Sequence, residues 1–332
     1  MDAEKSRGRL CVEWMKLTDS VDIERSNDLY EKLRGKGYSK EYRSQIDRDV
    51  NRTFPTLAYF GKGSDGEETL RRVLNAYAIY NPTIGYVQGM NMLVGYLLDR
   101  LRDEETAFWV FVSMMHAEKY DLLGLFTSEF PKMHCAAYQI DRLLKRYKSR
   151  LRDHMLSLNV EHTMYLCKWL LQLYTNLLEP ETLRGVWQRF IEQGWTYLIS
   201  LTFSILEASE SELLKMKDFY EVASFLTADM WKRTAILDAA VKKATEQPIT
   251  SGELKQLELE YLLKGSTAKS TDVLAHERAE SRKKGSAPKL KSGAFGDQSP
   301  FGNMDWELVG KVAAGAALAT AAVLAASQRR RR

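Results

Sequence analysis

Between about residues 20 and 263, apolar side chains recur at the spacing of amphipathic helices. Three stretches repeat the i, i+3, i+4, i+7 pattern at Leu70, Val73, Leu74, Tyr77 and Ala78, at Ile140, Leu143, Leu144, Tyr147 and Leu151, and at Leu183, Val186, Trp187, Phe190 and Ile191. Asn81-Pro82 is predicted to end the first helix, and Pro180 to open the third. Alternating Val/Ile/Thr stretches, which indicate strands, are sparse here. The pattern predicts an all-α, multi-helix domain.

The stretch from Trp195 to Leu206 is apolar on nearly every face. It is too short and too polar to span a bilayer, so we predict a buried central helix. Three tryptophans also lie in apolar helical patterns and are predicted to belong to the core, namely Trp109, Trp169 and Trp187.

The composition changes after Leu263, which divides the chain into three parts. Residues 1–263 are predicted to form one domain. Residues 264–303 are rich in Ser, Lys, Gly and Ala, so they bury too little apolar surface to offset the entropy lost on ordering. We expect a disordered, basic linker there, followed by a C-terminal apolar helix within residues 304–332.

The C-terminal part holds an uncharged run from Val312 to Ala326, and the chain ends in four arginines. The run is shorter than the ~20 residues that span a bilayer comfortably, but Lys311 can extend to the interface and lengthen it. One interpretation is a tail anchor that holds the domain on the cytoplasmic face of an intracellular membrane. The other is an Ala-rich helix that packs on the domain or on a partner.

Composition excludes several classes of function. A net charge of +4 over 332 residues gives no case for a nucleic-acid partner. The three cysteines, Cys11, Cys135 and Cys167, lie far apart without metal-ligand spacing, which favours a reduced, cytosolic setting. The five histidines show no convergent carboxylate or cysteine, and no Gly-rich phosphate loop is apparent. We therefore expect no cofactor or metal of its own.

Two short segments are candidates for chemistry. In residues 46–55, Ile46, Asp49 and Arg52 recur every three residues, so Asp49 can brace the Arg52 guanidinium. Pro55 is predicted to stop the helix, leaving Arg52 at its C-terminal end. In residues 85–91, Gln88 stands between an aromatic residue and a glycine, which favours a side chain presented from a loop or helix start. An Asp–Arg pair of this kind is more often a solvated surface ion pair.

The residues IDRDVNRTFP (46–55) resemble the IxxDxxR motif of TBC-domain Rab GTPase-activating proteins, and Tyr86-Val87-Gln88-Gly89 is similar to the YxQG motif of that family. EETAFWVFVSMM (104–115) and ETLRGVWQRFIEQGWTYLISLTFSIL (181–206) resemble later segments of the same family. The resemblance extends from about Trp14 to the 240s. It implies a V-shaped helical domain that binds a Rab-family small GTPase in its GTP form.

By this resemblance, Arg52 is an arginine finger and Gln88 a glutamine finger, both inserted into the nucleotide site of the GTPase. Asp49 would orient Arg52, and Tyr86 would pack beside Gln88. Supporting positions are Thr53 and Gly89, which would shape the backbone, and Ile46. The protein would then be no enzyme itself but an activator that contributes catalytic residues in trans, acting on GTP and Mg bound to its partner.

The chain departs from the family pattern at three places. The Gly-Ile-Pro segment that usually precedes the first tryptophan has no counterpart, so the first helix is expected to be incomplete. Gln188 follows Trp187 where an aspartate is usual, and Trp195 has no assignable counterpart. Two other functions remain open, a catalytically inactive Rab-binding adaptor and a general helical scaffold. The presence of both Arg52 and Gln88 favours an active GTPase activator in membrane traffic.

Overall fold

The computed structural model describes residues 2–20, 28–37 and 39–267. These residues form fifteen α-helices and no strand, which confirms the all-α prediction for this part of the chain. The helices are α1 (Asp2–Leu17), α2 (Leu29–Gly35), α3 (Arg43–Val50), α4 (Asp65–Tyr80), α5 (Met90–Leu101), α6 (Glu104–His116), α7 (Pro131–Tyr147), α8 (Ser149–Ser157), α9 (His162–Leu170), α10 (Pro180–Gln193), α11 (Trp195–Ala208), α12 (Glu210–Leu213), α13 (Phe219–Ser224), α14 (Thr234–Glu246) and α15 (Ser251–Thr267).

The described chain divides into two compact units. The first contains the residues up to Phe126 together with Trp169–Trp195, and the second contains Thr127–Lys168 and the residues from Thr196 onward. Every residue predicted to take part in the site lies in the first unit.

Helix α4 forms where the sequence pattern predicts it. Its five stripe residues are all buried, from Leu70 to Ala78. The Ser64 side chain caps the helix by accepting a hydrogen bond from the Glu67 backbone N–H at 3.2 Å, and Asn81 is the C-terminal cap. Helix α10 likewise begins at Pro180. Both predicted helix boundaries are confirmed.

Aromatic side chains fill much of the first unit. Trp14 of α1 stacks on Trp187 of α10, with ring centroids 6.3 Å apart, and Tyr96 of α5 lies 4.3 Å from Trp187. Trp109 and Trp169 are also fully buried, as predicted. Rings of this size supply much of the apolar surface that stabilises the core.

In the second unit, the prediction of one continuous helix from Ile140 to Leu151 is wrong. α7 ends at Tyr147, Lys148 leaves the helical conformation with φ −144° and ψ 50°, and Leu151 belongs to α8. Tyr147 is half exposed, although the pattern placed it on the apolar face. Its hydroxyl donates to Glu253 at 3.1 Å, and its ring packs edge-on against Phe203.

Helix α11 is buried along most of its length, as predicted. Helix α15 continues through Lys264 to Thr267, past the predicted end of the domain. No helix among the described residues is long and apolar enough to cross a bilayer. Most of the predicted linker, the apolar run and the terminal arginines lie outside the described residues.

Candidate functional site

Helix α3 ends earlier than the sequence predicted. Its last residue is Val50, so Arg52 lies in the turn that follows the helix rather than in it. The Thr53 hydroxyl donates to the Asp49 carbonyl at 2.7 Å, and Phe54 takes a positive φ of 46°. The residue before a proline is disfavoured in the helical region, so the chain leaves the helix before Pro55.

The turn exposes Arg52 while Asp49 stays buried. Nη2 of Arg52 lies 2.7 Å from Oδ1 of Asp49, and 43% of the arginine side chain is exposed against 5% for the aspartate. A guanidinium carries five N–H donors, and the other donors of Arg52 have no partner among the described residues. The ion pair therefore holds the arginine by one edge and leaves its remaining donors for a ligand.

The second oxygen of the same carboxylate holds Tyr86. The Tyr86 hydroxyl donates to Oδ2 of Asp49 at 2.5 Å. Burial, followed by the negative charge of Asp49, raises the pKa of Tyr86 well above its ordinary value, so the phenol remains a donor. Asp49 thus links the turn after α3 to the segment that carries Gln88, a role for Tyr86 more specific than the predicted packing beside Gln88.

Gln88 lies in the turn that immediately precedes α5, as the sequence predicted. Gly89 has a φ of 108°, a conformation open mainly to glycine. The Gln88 side chain is half-buried, and its amide has no hydrogen-bond partner among the described residues. Its backbone is fixed on both sides while its side-chain amide remains available.

Asn91 was given no role in the sequence analysis, yet it joins the two segments a second time. Its Oδ1 accepts from the Gly89 backbone N–H at 3.1 Å, and its Nδ2 donates to the Thr53 hydroxyl at 2.8 Å. The side chain is almost fully buried. The sequence does carry a signal for Asn91, because it is a polar residue at the start of the apolar run Met90–Leu98.

Three other positions support the turn that carries Arg52. Ile46 is buried on α3 and contributes to packing. Arg71 of α4 donates to Asp47 of α3 at 2.7 Å, which ties the two helices together. A Cβ at Gly95 of α5 would lie 2.9 Å from Cγ2 of Thr53, so glycine permits the close approach of α5. The sequence analysis missed Arg71 and Gly95.

The two departures from the family pattern within helices α10 and α11 make the following contacts. Gln188 accepts a hydrogen bond from Nε1 of Trp14 at 2.9 Å, a role that an amide oxygen fills without introducing a charge. The backbone N–H of Trp195 donates to the Lys119 carbonyl at 2.9 Å, directly after Gly194 at a φ of 65°. Neither residue belongs to the Asp49 hydrogen-bond network.

One prediction about the histidines is wrong. Nε2 of His162 lies 3.8 Å from Asp141, which also accepts from Arg152 at 2.8 Å. Burial alone would raise the pKa of Asp141, but His162 and Arg152 outweigh it and hold the pKa below its usual range. These three residues lie within the second unit. No group of metal-ligating side chains occurs among the residues described.

Comparison with known proteins identifies the family of this chain. The chain belongs to the Rab-GTPase-TBC domain family, whose sequence model matches residues 5–214. It is 27% identical over 273 residues to the Caenorhabditis elegans Rab GTPase-activating protein eat-17, covering 82% of this chain and 30% of the relative. It is 31% identical over 209 residues to rat TBC1 domain family member 2A, covering 60% and 22% respectively. The chain therefore spans less than a third of either relative's length.

The fold is also similar to a solved structure. The Chlamydomonas flagellar RabGAP TBC domain superimposes with a TM-score of 0.59 at 25% identity, covering 70% of this chain and 77% of that one. The predicted family and the TBC-like, all-helical fold are thus confirmed.

Proposed function

We propose that this protein accelerates GTP hydrolysis by a Rab-type small GTPase, with Arg52 and Gln88 contributed in trans. The observation that carries the proposal is the shared Asp49 carboxylate, which binds Arg52 through one oxygen and Tyr86 through the other. An ordinary surface ion pair is solvated on both sides and contributes little to stability, so burial of its aspartate would serve no purpose. An arginine that must enter another protein's nucleotide site does need such a support.

In this proposal the exposed donors of Arg52 stabilise the charge that develops on the γ-phosphoryl group. Water attacks the γ-phosphorus, and the bond to the oxygen that bridges the β- and γ-phosphates breaks, so negative charge moves to that oxygen. A guanidinium fixed beforehand by Asp49 meets this charge with little reorganisation. An arginine supplied in trans contributes roughly 10³–10⁵ in rate to such reactions.

Gln88 would orient the attacking water. Its side-chain amide provides both a donor and an acceptor, and neither is used within the described residues. Gly89 and Asn91 fix the backbone beside it through the 3.1 Å hydrogen bond. The protein needs no nucleotide, metal or cofactor of its own in this mechanism, because GTP and Mg belong to the GTPase.

A single-turnover hydrolysis assay across a panel of purified, GTP-loaded Rab proteins tests the proposal. Stimulation of at least one Rab is the expected result. Binding to a Rab without stimulation would make the protein an inactive adaptor instead. The absence of both binding and stimulation across the panel would leave only a helical scaffold.

We further propose that residues 304–332 hold the domain on the cytoplasmic face of an intracellular membrane. The support is the uncharged run from Val312 to Ala326, the basic end of the chain and the membrane location of Rab partners. This part of the proposal does not depend on the catalytic one.

A further inference from the structure

A cavity of about 330 Å³ lies between the first half of α1 and the C-terminal end of α5. Its lining residues are Ser6, Arg7, Leu10, Asp99, Arg100 and Arg102. Arg100 is nine residues after Asn91 on α5, which places it roughly 13 Å further along the helix axis. The cavity is therefore separate from the Asp49 network and is not used in the proposed mechanism.

The lining carries an excess of positive charge, since three arginines face one aspartate. Arg102 is already held: Nη2 donates to Asp99 Oδ1 at 2.6 Å, and its guanidinium stacks 3.7 Å from the Tyr59 ring. Arg7 and Arg100 have no carboxylate partner among the described residues. Two guanidinium groups are left to bind an anion.

The backbone that carries these arginines is fixed on both helices. Arg102 has a φ of 56° and ψ of 21°, an uncommon left-handed conformation for a residue with a side chain. The Cys11 thiol donates to the Leu101 carbonyl at 3.5 Å, which ties α1 to the end of α5. The fold itself therefore places the backbones that carry Arg7 and Arg100 beside each other before any ligand binds.

We propose that this cavity binds a phosphate group carried on a small organic body. Two free guanidinium groups supply a charge of +2, which matches the −1.5 to −2 of a phosphate monoester, and their planar forks suit its oxygens. The Ser6 hydroxyl adds a donor. The C-terminal end of α5 opposes an anion, but its partial charge is smaller than that of the two guanidinium groups. The volume is at the low end for small-molecule sites, about 300–1,000 Å³.

The same chemistry is found in soluble phosphorylated metabolites and in phosphorylated lipid headgroups. Calorimetry with inositol trisphosphate tests the soluble form, using the full-length protein. Flotation with phosphatidylcholine vesicles, with and without phosphatidylinositol bisphosphate, tests the lipid form. Competition by inositol trisphosphate in the flotation assay shows whether both bind at the same place.

The test variant is the double substitution Arg7→Gln/Arg100→Gln. The matched control is Arg184→Gln/Arg189→Gln on α10, which removes the same two charges from another exposed surface of the first unit. Circular dichroism and the melting temperature confirm that both variants fold. We expect the test variant to weaken inositol trisphosphate binding by about tenfold or more, and the control to leave it unchanged.

A soluble ligand is identified if the protein binds inositol trisphosphate but shows no vesicle binding that depends on Arg7 and Arg100. Flotation that is lost in the test variant and competed by inositol trisphosphate would identify a lipid headgroup. If inositol trisphosphate binding weakened equally in both variants, overall surface charge would explain the binding and the proposal would be overturned. The proposal is also overturned if the wild-type protein binds neither probe.

Discussion

The hydroxyl of Tyr86 lies 2.5 Å from Oδ2 of Asp49, although the two residues are 37 positions apart in the chain. The other oxygen of that carboxylate lies 2.7 Å from Nη2 of Arg52. A buried carboxylate that satisfies both groups is costly to leave half-paired. Both segments of the proposed site are therefore expected to respond together when either partner of Asp49 is removed.

Arg52→Ala is expected to lower stimulated GTP hydrolysis by roughly 10³-fold or more, because the guanidinium that neutralises the phosphoryl charge is lost. Arg52→Lys should be nearly as damaging, since an ammonium lacks the planar fork. The measurement is single-turnover hydrolysis on a responsive Rab, with Arg48→Ala on α3 as the matched control. Near-wild-type stimulation by either Arg52 variant would remove Arg52 from the mechanism.

Gln88→Ala is expected to lower hydrolysis through lost positioning of water while Rab binding in the GTP form is kept. The decisive measurement is complex formation with GDP and aluminium fluoride, which mimics the transferring phosphoryl group. This complex should weaken relative to wild type, and the exposed-residue control Gln256→Ala should behave as wild type. Normal hydrolysis by Gln88→Ala would make the residue structural and leave the Rab's own glutamine to orient the water.

Tyr86→Phe is expected to destabilise the fold by about 1–3 kcal/mol, because one oxygen of the buried Asp49 carboxylate loses its donor. The kcat of stimulated hydrolysis should fall about 10- to 100-fold as Arg52 loses its fixed support, with KM for the Rab little changed. Tyr220→Phe, on an exposed ring, is the matched control. A variant with unchanged kcat would show that the Tyr86 hydroxyl is not needed to position Arg52.

Tyr86→Phe also tests how the contribution of the Tyr86 hydroxyl to stability depends on pH. The raised pKa of Tyr86 means that folding favours its protonated form, so its contribution is complete below the unfolded pKa, about 10. It is lost as the pH rises through the folded value. The stability difference between wild type and Tyr86→Phe, measured by urea unfolding, should stay constant from neutral pH to about 9 and shrink above about 10.

Asn91→Ala is expected to lower the free energy of unfolding by about 1–3 kcal/mol, since the Gly89 N–H loses its acceptor in a buried place. The rate of stimulated hydrolysis should also fall, because Gly89 follows Gln88 directly and its hydrogen bond to Asn91 fixes the backbone that presents Gln88. Asn176→Ala, at an exposed asparagine of the same unit, is the control for urea unfolding and for the GTPase assay. Loss of stability with full activity would separate Asn91 from the positioning of Gln88.

Deletion of residues 304–332 is expected to release the protein from membranes without lowering its rate on a soluble Rab. Carbonate extraction of the full-length protein provides the test, because an inserted helix stays with the pellet. A charge placed at Ala319 should cost a membrane span about 2.5–3.5 kcal/mol of insertion energy. Release of the unaltered protein into the supernatant would identify the segment as a packing helix.

The helices that could be predicted from the sequence are those that follow local patterns. The stripe from Leu70 to Ala78, the break at Asn81 and the helix opened by Pro180 depend on spacing and on the backbone limits of proline. The break at Lys148 could not be found in this way, since the apolar period continues across it to Leu151. The residues at the break contact distant parts of the chain, since Tyr147 donates to Glu253 and Lys148 to Glu210, and local spacing does not encode such contacts.

For the proposed site, the amino-acid sequence indicates the candidate residues and places Asp49 three positions before Arg52. It left open whether that pair is a solvated surface contact or a support for catalysis. The tertiary structure excludes a fully solvated pair, because it buries Asp49, exposes Arg52 and brings Tyr86 and Asn91 from a distant segment onto the same turn. The catalytic role of the pair stays a prediction. Burial and hydrogen bonds between distant segments arise from packing of the whole unit, and the local periodicity of a sequence does not encode them.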